Sequence, residues 1–175
     1  RAAEQDRHDG ERLRRLADTD ALTGVLNRRG LQGAVVPMLQ RARPDALVGV
    51  YLIDLDGFKP VNDRHGHHAG DSVLIEIAAR LGMQIRQADL VARIGGDEFV
   101  VVVGELRDED AAVRIGDKLL QSVQAPVSLE GGACSVGATI GFALSPTDGT
   151  DVGHLLAQAD QALYAGKLAG KRQLR

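Results

Sequence analysis

The stretch that most limits what this chain can fold into runs Arg93-Ile94-Gly95-Gly96-Asp97-Glu98-Phe99-Val100-Val101-Val102-Val103. Two runs with strand character flank a short turn, Gly95 to Glu98, and this pattern predicts a β-hairpin. Adjacent carboxylates repel, so a protein that concentrates them at a turn offsets their charge with a cation or uses it in catalysis. The two glycines let backbone approach a bulky ligand where a side chain would clash. The turn therefore points to a metal–phosphate site at a hairpin tip. A solvated acidic turn fits the same four letters, and the rest of the chain has to decide.

Arg1 to Ala17 is rich in charges of both signs, with Leu13 and Leu16 its main large apolar residues. It reads as a helical connector from an upstream module, able to pair with its copy in a dimer, or else as a frayed tail. Asp18-Thr19-Asp20 is expected to cap a helix that places Leu31, Val35 and Leu39 on one face. Leu47 to Ile53 is a continuous apolar run, as in a strand covered on both faces, and it ends at Asp54-Leu55-Asp56. Carboxylates at the end of a buried strand are where ligand chemistry often sits in α/β sheets. Phe58 to Gly70 is polar and rich in turn formers, and Asp71 is expected to open a helix striped by Leu74, Ile77, Ala78, Leu81 and Ile85. Asp108 starts a further amphipathic helix that ends before Pro126. Val127 to Leu129 and Ala133 to Ala143 read as strands, and Asp151 caps a last helix closed by Gly170. Helices and strands alternate around a tight hairpin. The expected fold is thus α/β, a mixed sheet with helices packed on it.

A chain of 175 residues, 44% apolar and 26% charged, can enclose one real core. Its net charge of −3 gives no global drive toward nucleic acid, so no nucleic-acid partner is expected. A single cysteine, Cys134, excludes an internal disulfide framework, suits a reducing, cytoplasmic setting, and is expected to be a small buried hydrophobe. The apolar runs are too short to span a bilayer. The start at Arg1 is expected of a piece of a larger protein.

Five ordered blocks resemble the GGDEF-type diguanylate cyclases of bacterial signalling. They are Asp20-Ala21-Leu22-Thr23-Gly24-Val25-Leu26-Asn27-Arg28-Arg29, Asp54-Leu55-Asp56-Gly57-Phe58-Lys59-Pro60-Val61-Asn62-Asp63, Gly66-His67-His68-Ala69-Gly70-Asp71, Ala92-Arg93-Ile94-Gly95-Gly96-Asp97-Glu98-Phe99 and Ala159-Asp160-Gln161-Ala162-Leu163-Tyr164. The resemblance implies a nucleotidyl-cyclase-like domain over residues 19–175, with a mixed, largely antiparallel sheet surrounded by helices. Residues 1–18 become a helical signalling linker from an upstream sensory module. The implied reaction condenses two GTP into cyclic di-GMP and two pyrophosphates. One domain holds one GTP, so the implied active unit is a homodimer of facing domains. The alternative is a catalytically silent domain that senses GTP or serves as a cyclic di-GMP receptor; the intact Gly95, Gly96, Asp97 and Glu98 favour the enzyme.

The resemblance also assigns residues. Asp54, the carbonyl of Leu55, and Asp97 are implied metal ligands, an all-oxygen set that suits Mg2+ or Mn2+. Asp97 and Glu98 carry the implied catalytic role, while Asp56, which can face away on a strand, stands between ligand and structural duty. Asn62 and Asp71 match guanine readers; an amide and a carboxylate can satisfy the edge of guanine but not that of adenine. Gly95 and Gly96 adjoin the substrate, and Lys59, Lys167 and Lys171 are implied phosphate holders. Lys171 stands where the family more usually has arginine, which keeps the charge but loses the fork. Arg86-Gln87-Ala88-Asp89 matches the family's Arg-x-x-Asp inhibitory motif, with Arg86 and Asp89 as the product-binding pair. One strand of ~3.3 Å per residue puts it roughly 15–20 Å from the turn, too far for the metal site. Arg114 could contribute from a neighbouring surface. His65, His67 and His68 read as loop residues rather than zinc ligands.

Overall fold

The computed structural model describes residues 2–170. In chain order the elements are α1 (Ala2–Asp18), α2 (Arg28–Arg41), β1 (Leu47–Asp56), α3 (Phe58–His65), α4 (His67–Met83), β2 (Leu90–Arg93), β3 (Glu98–Leu106), α5 (Glu109–Gln124), β4 (Val127–Leu129), β5 (Gly132–Cys134), β6 (Gly137–Ser145) and α6 (Val152–Leu168). The main sheet has the order β2-β3-β1-β6, and β4 with β5 forms a separate ribbon. Every strand pairing is antiparallel, and an isolated parallel bridge joins Leu26 to Ala92.

Period-two alternation divides β1 between two cores. Tyr51, Ile53 and Leu55 join Phe99, Val101 and Val103 on one face, under Val73, Ile77 and Leu81 of α4 and Leu119 of α5. Val48, Val50 and Leu52 join Val100 and Val102 on the other, under Leu31 and Val35 of α2 and Leu155, Ala159 and Leu163 of α6. The central strands are apolar at nearly every position because both faces are covered. The same alternation directs Asp54 and Asp56 toward the α2/α6 face, since they continue the row of Val50 and Leu52.

Several local expectations are corrected. Asn27 caps α2, its side chain accepting from the Gly30 N–H at 2.9 Å, while Asp18 ends α1. Asp20 instead accepts from the backbone and hydroxyl of Thr23, at 3.0 and 2.7 Å. Phe58 to Gly70 is not an open loop: α3 occupies its first part, and α4 begins at His67 after Gly66, so Asp71 lies inside α4 rather than at its cap. Only Val61 of α3 is buried, which is why apolar periodicity does not reveal it. The run Ala133 to Ala143 divides into β5 and β6, and Cys134 is half-buried on the ribbon, where burial pushes its thiol pKa up. Asp108 and Asp151 cap α5 and α6 as expected. No described residue of α1 is buried, and Leu13 and Leu16 stay 67% and 70% exposed. Among the described residues no helix is long and apolar enough to cross a membrane.

Candidate active site

The sheet register brings the acidic blocks together. Asp54, near the end of β1, pairs directly with Glu98 at the start of β3, and the Leu55 N–H donates to the carbonyl of Asp97 at 3.1 Å. The turn after β2 is therefore tied to the end of β1. Burial raises the Asp54 pKa, Lys167 opposes that rise, and the charges of Asp97 and Asp56 add to it. Glu98 is raised first by burial and then by Asp54, Asp97 and Asp160, with Arg28 opposing. Mutual repulsion of this kind makes the strand ends a place where added positive charge is favourable.

Lys167 supplies some of that charge from α6. Its Nζ lies 3.1 Å from Asp54 Oδ2 and 3.2 Å from Asp56 Oδ1. Burial works to lower its pKa, but the two carboxylates outweigh burial and the net shift is upward. Asp56 is buried and also accepts from the Thr139 hydroxyl at 2.9 Å. It does not face away: residues two apart on a strand share a face, and both acids meet the same lysine. Sequence reasoning missed Thr139, which no local pattern distinguishes from a strand threonine.

Arg93 fastens the turn from beneath. Its Nε and Nη2 donate to the Gly96 carbonyl at 3.1 and 2.9 Å, and Nη1 donates to both carboxylate oxygens of Asp20 at 3.2 Å. Asp20 is thus a brace for the turn; burial raises its pKa, but the bonds from Thr23 and Arg93 outweigh this and hold it low.

Asn62 and Asp71 come from adjacent helices. A Cβ on Gly70 would lie 1.7 Å from Asn62 Oδ1, so α3 and α4 meet directly at the residue preceding Asp71. Asp71 and Lys59 are exposed, on α4 and α3. Gly95 packs against the Glu98 side chain and Gly96 is open to solvent. Lys171 lies outside the described residues.

As a cation site the donors would all be oxygen: the carboxylates of Asp54 and Asp97 and the Leu55 carbonyl. Among the described residues no three acidic, imidazole or thiol side chains converge on one point. The protein oxygens would form only part of a shell, which matches a hard divalent ion completed by phosphate oxygens and water. The residues fit such an ion.

Arg86 and Asp89 lie at the far end of β3. Asp89 is buried and accepts from the Arg86 N–H and the Gly104 N–H, both at 3.0 Å. Arg86 donates to both Asp89 oxygens at 3.3 Å, to Glu105 at 2.7 Å and to the Gly104 carbonyl at 2.5 Å. The bonds to Asp89, then that to Glu105, raise its pKa. Glu98 and Gly104 are six residue steps apart on the strand, roughly 20 Å. The pair lines a cleft of about 350 Å³ whose walls include Arg41, Arg43, Asp45 and Glu105. Sequence reasoning missed these four; the basic end of α2 was their only signal.

An antiparallel sheet between helix layers thus carries carboxylates and a lysine at one strand end, with amide and acid side chains on the helices that follow. Residues 17–173 match the family model described as "Diguanylate cyclase, GGDEF domain". The chain is 43% identical over 166 residues to the diguanylate cyclase TpbB of Pseudomonas aeruginosa, covering 90% of this chain and 37% of TpbB. The solved GGDEF domain of TpbB from the same organism aligns with a TM-score of 0.84 at 42% identity, over 90% of this chain and 92% of that one. The coiled coil and GGDEF domain of DgcB from Caulobacter crescentus, solved with c-di-GMP, aligns at a TM-score of 0.84 and 26% identity, over 99% and 92%. The chain belongs to the GGDEF-domain diguanylate cyclase family. It spans well under half the length of curated relatives such as TpbB.

Proposed function

We propose that this domain is a diguanylate cyclase that condenses two GTP into cyclic di-GMP and two pyrophosphates. The observation that carries the reading is the register of β1 against β3. It sets Asp54 opposite Glu98 and ties Leu55 to Asp97, with Lys167 beside them, so acids from two separate sequence blocks share one sheet end. Asp54, Asp97 and the Leu55 carbonyl would hold Mg2+ or Mn2+, with Glu98 a further ligand or orienter. When bound there, such an ion would neutralise triphosphate charge and favour ionisation of the attacking 3′-hydroxyl. Lys167 and Lys59, with Lys171, hold phosphates. Asn62 and Asp71 read the guanine edge, Asn62 from a place that the bare Gly70 leaves open.

Each domain takes one GTP, so the productive unit is a homodimer with two sites facing each other. The exposed leucines of α1 support its role as the linker that carries dimerisation from an upstream sensory module, residues 1–18 being that linker and 19–175 the catalytic domain. The relatives' greater length fits such a module. GTP as substrate and a reducing interior with one cysteine agree with a cytoplasmic domain. Arg86 and Asp89, roughly 20 Å from the acids, form a separate product-inhibition site for cyclic di-GMP.

The deciding experiment incubates nucleotide-stripped, dimeric protein with GTP and Mg2+. Formation of cyclic di-GMP and pyrophosphate supports the enzyme; its absence turns the reading to a silent receptor. Arg86→Ala is expected to lose inhibition by added cyclic di-GMP, measured as a progress curve that no longer flattens. Gly70→Ala gives a sharper test of guanine reading. The new methyl must displace the Asn62 amide, so the KM for GTP is expected to rise about tenfold, the value of one lost hydrogen bond to a bound group. Alanine is also the better helix former by about 0.5–1 kcal/mol, so the melting temperature should hold or rise. An unchanged KM would remove Asn62 from recognition.

A further inference from the structure

β3 carries one residue more than β1 near its C-terminal end. Leu47 pairs with Leu106 and Gly49 with Val103, so three steps along β3 face two along β1. This is a β-bulge, and the residue that absorbs it is Glu105, at a φ of 57°. A left-handed bulge position is ordinarily given to glycine, because a Cβ there is strained. Among the described residues Glu105 is the single non-glycine with positive φ. The strain places a carboxylate against a guanidinium: Glu105 Oε2 accepts from Arg86 Nη1 at 2.7 Å, closer than either Asp89 oxygen at 3.3 Å.

The two carboxylates on Arg86 differ in kind. The Asp89 side chain is 1% exposed and is also held by the Gly104 N–H, so it is a fixed part of the site. Glu105 is 80% exposed, and an ion pair so open to water is weak enough to be exchanged. Bonds to Asp89, Gly104 and Glu105 engage four of the five guanidinium N–H groups, and those on Nη1 reach a ligand fully only when Glu105 leaves. Around the cleft Arg41, Arg43 and Arg86 face Asp45, Asp89 and Glu105, three positive charges against three negative. A ligand with two phosphodiester charges therefore meets a balanced surface, which becomes attractive once one carboxylate is neutralised.

We propose that Glu105 is an intramolecular stand-in for ligand at Arg86, and that its carboxylate sets how tightly the cleft holds cyclic di-GMP. The proposal rests on the product-inhibition reading of Arg86 and Asp89. Calorimetric titration of cyclic di-GMP into nucleotide-stripped wild type, Glu105→Gln, Glu105→Gly, Arg86→Ala and the double variant Arg86→Ala/Glu105→Gln tests both. Glu105→Gln is expected to bind about fivefold more tightly than wild type, the upper value for an exposed ion pair. Glu105→Gly should gain at least as much, since glycine accepts the bulge conformation. In the Arg86→Ala background the gain should vanish, because the competitor has nothing left to occupy. Unchanged or weaker binding by Glu105→Gln, with binding lost in Arg86→Ala, overturns the proposal and leaves the inhibitory site standing. An undiminished gain in the double variant overturns it too, by assigning the effect to the general field. Wild-type affinity in Arg86→Ala, or no binding by any variant, removes the inhibitory site and the proposal together. Thermal unfolding of each variant verifies that it is folded.

Discussion

Asp97→Asn is expected to lower cyclic di-GMP formation by about 1,000-fold, the scale of losing one charge that stabilises or positions the reacting groups. Asparagine keeps the size of the side chain, and the hydrogen bond that ties the turn to β1 uses the Asp97 backbone carbonyl, not its carboxylate. The Arg93 bonds to Gly96 are likewise independent of the side chain. What changes is charge. Asp54 and Glu98 are each pushed toward their neutral forms first by burial and then by neighbouring acids that include Asp97. Removing one acid relieves that repulsion, so the melting temperature of the metal-free variant should equal or exceed that of wild type. Activity and stability then move in opposite directions, as expected where a site concentrates like charge for function. Two measurements check this: turnover of GTP, and Mn2+ binding followed by paramagnetic resonance. Wild-type turnover would defeat the assignment of Asp97, whereas lost turnover with unaltered Mn2+ affinity would move it from ligand to orienter.

Gly141→Ala is expected to destabilise the domain by about 3 kcal/mol, near the upper end for overpacking a core. Gly141 lies midway along β6, an edge strand, where it pairs with Leu52 of β1, and α6 crosses directly over it. An added Cβ would lie 2.1 Å from the Ala159 carbonyl oxygen and 2.4 Å from the Leu163 nitrogen. Those are backbone atoms of a hydrogen-bonded helix, so no side-chain rotation relieves the contact, and α6 must lift from β6. For a domain of this size the melting temperature should fall by roughly 6–12 °C. Turnover should fall as well, because α6 carries Lys167 one turn beyond Leu163 and holds it against Asp54 and Asp56. Thermal and urea unfolding read the first effect, and GTP turnover well below the new melting point reads the second. A melting temperature within a degree of wild type would mean that α6 does not pack on β6 at this distance.

Gly70 and Gly141 show why equal-looking glycines carry different consequences. At Gly70 the obstructing atom ends a mobile amide, so the expected cost falls on binding; at Gly141 it is backbone, so the cost falls on the fold. Neither difference is visible in the letters around them. Asp20 and Asp71 teach the same point for acids. Each has a side chain and neighbours suited to a helix cap, yet Asn27 caps α2, and Asp71 sits one turn inside α4. Capping preference is shared by several nearby residues, and the choice among them depends on which segment the sheet holds in place.

The sequence alone determined the features set by near neighbours. The hairpin around Gly95 and Gly96, the apolar strand ending in Asp54, the caps at Asp108 and Asp151, and the spacing of Arg86 from the turn all follow from dihedral preference and from periods of two or 3.6 residues, which act over a few positions. The ordered blocks then sufficed to indicate the family. Only the tertiary structure decided that Asp54 and Asp56 share one lysine, with Lys167 111 positions beyond Asp56, that Arg93 braces the turn through Asp20, and that Glu105 rather than Gly104 takes the left-handed bulge position. These depend on the register of β3 against β1 and on how closely α6 approaches the sheet. Register and packing distance are settled by the sum of many distant contacts, so no local stretch of sequence records them.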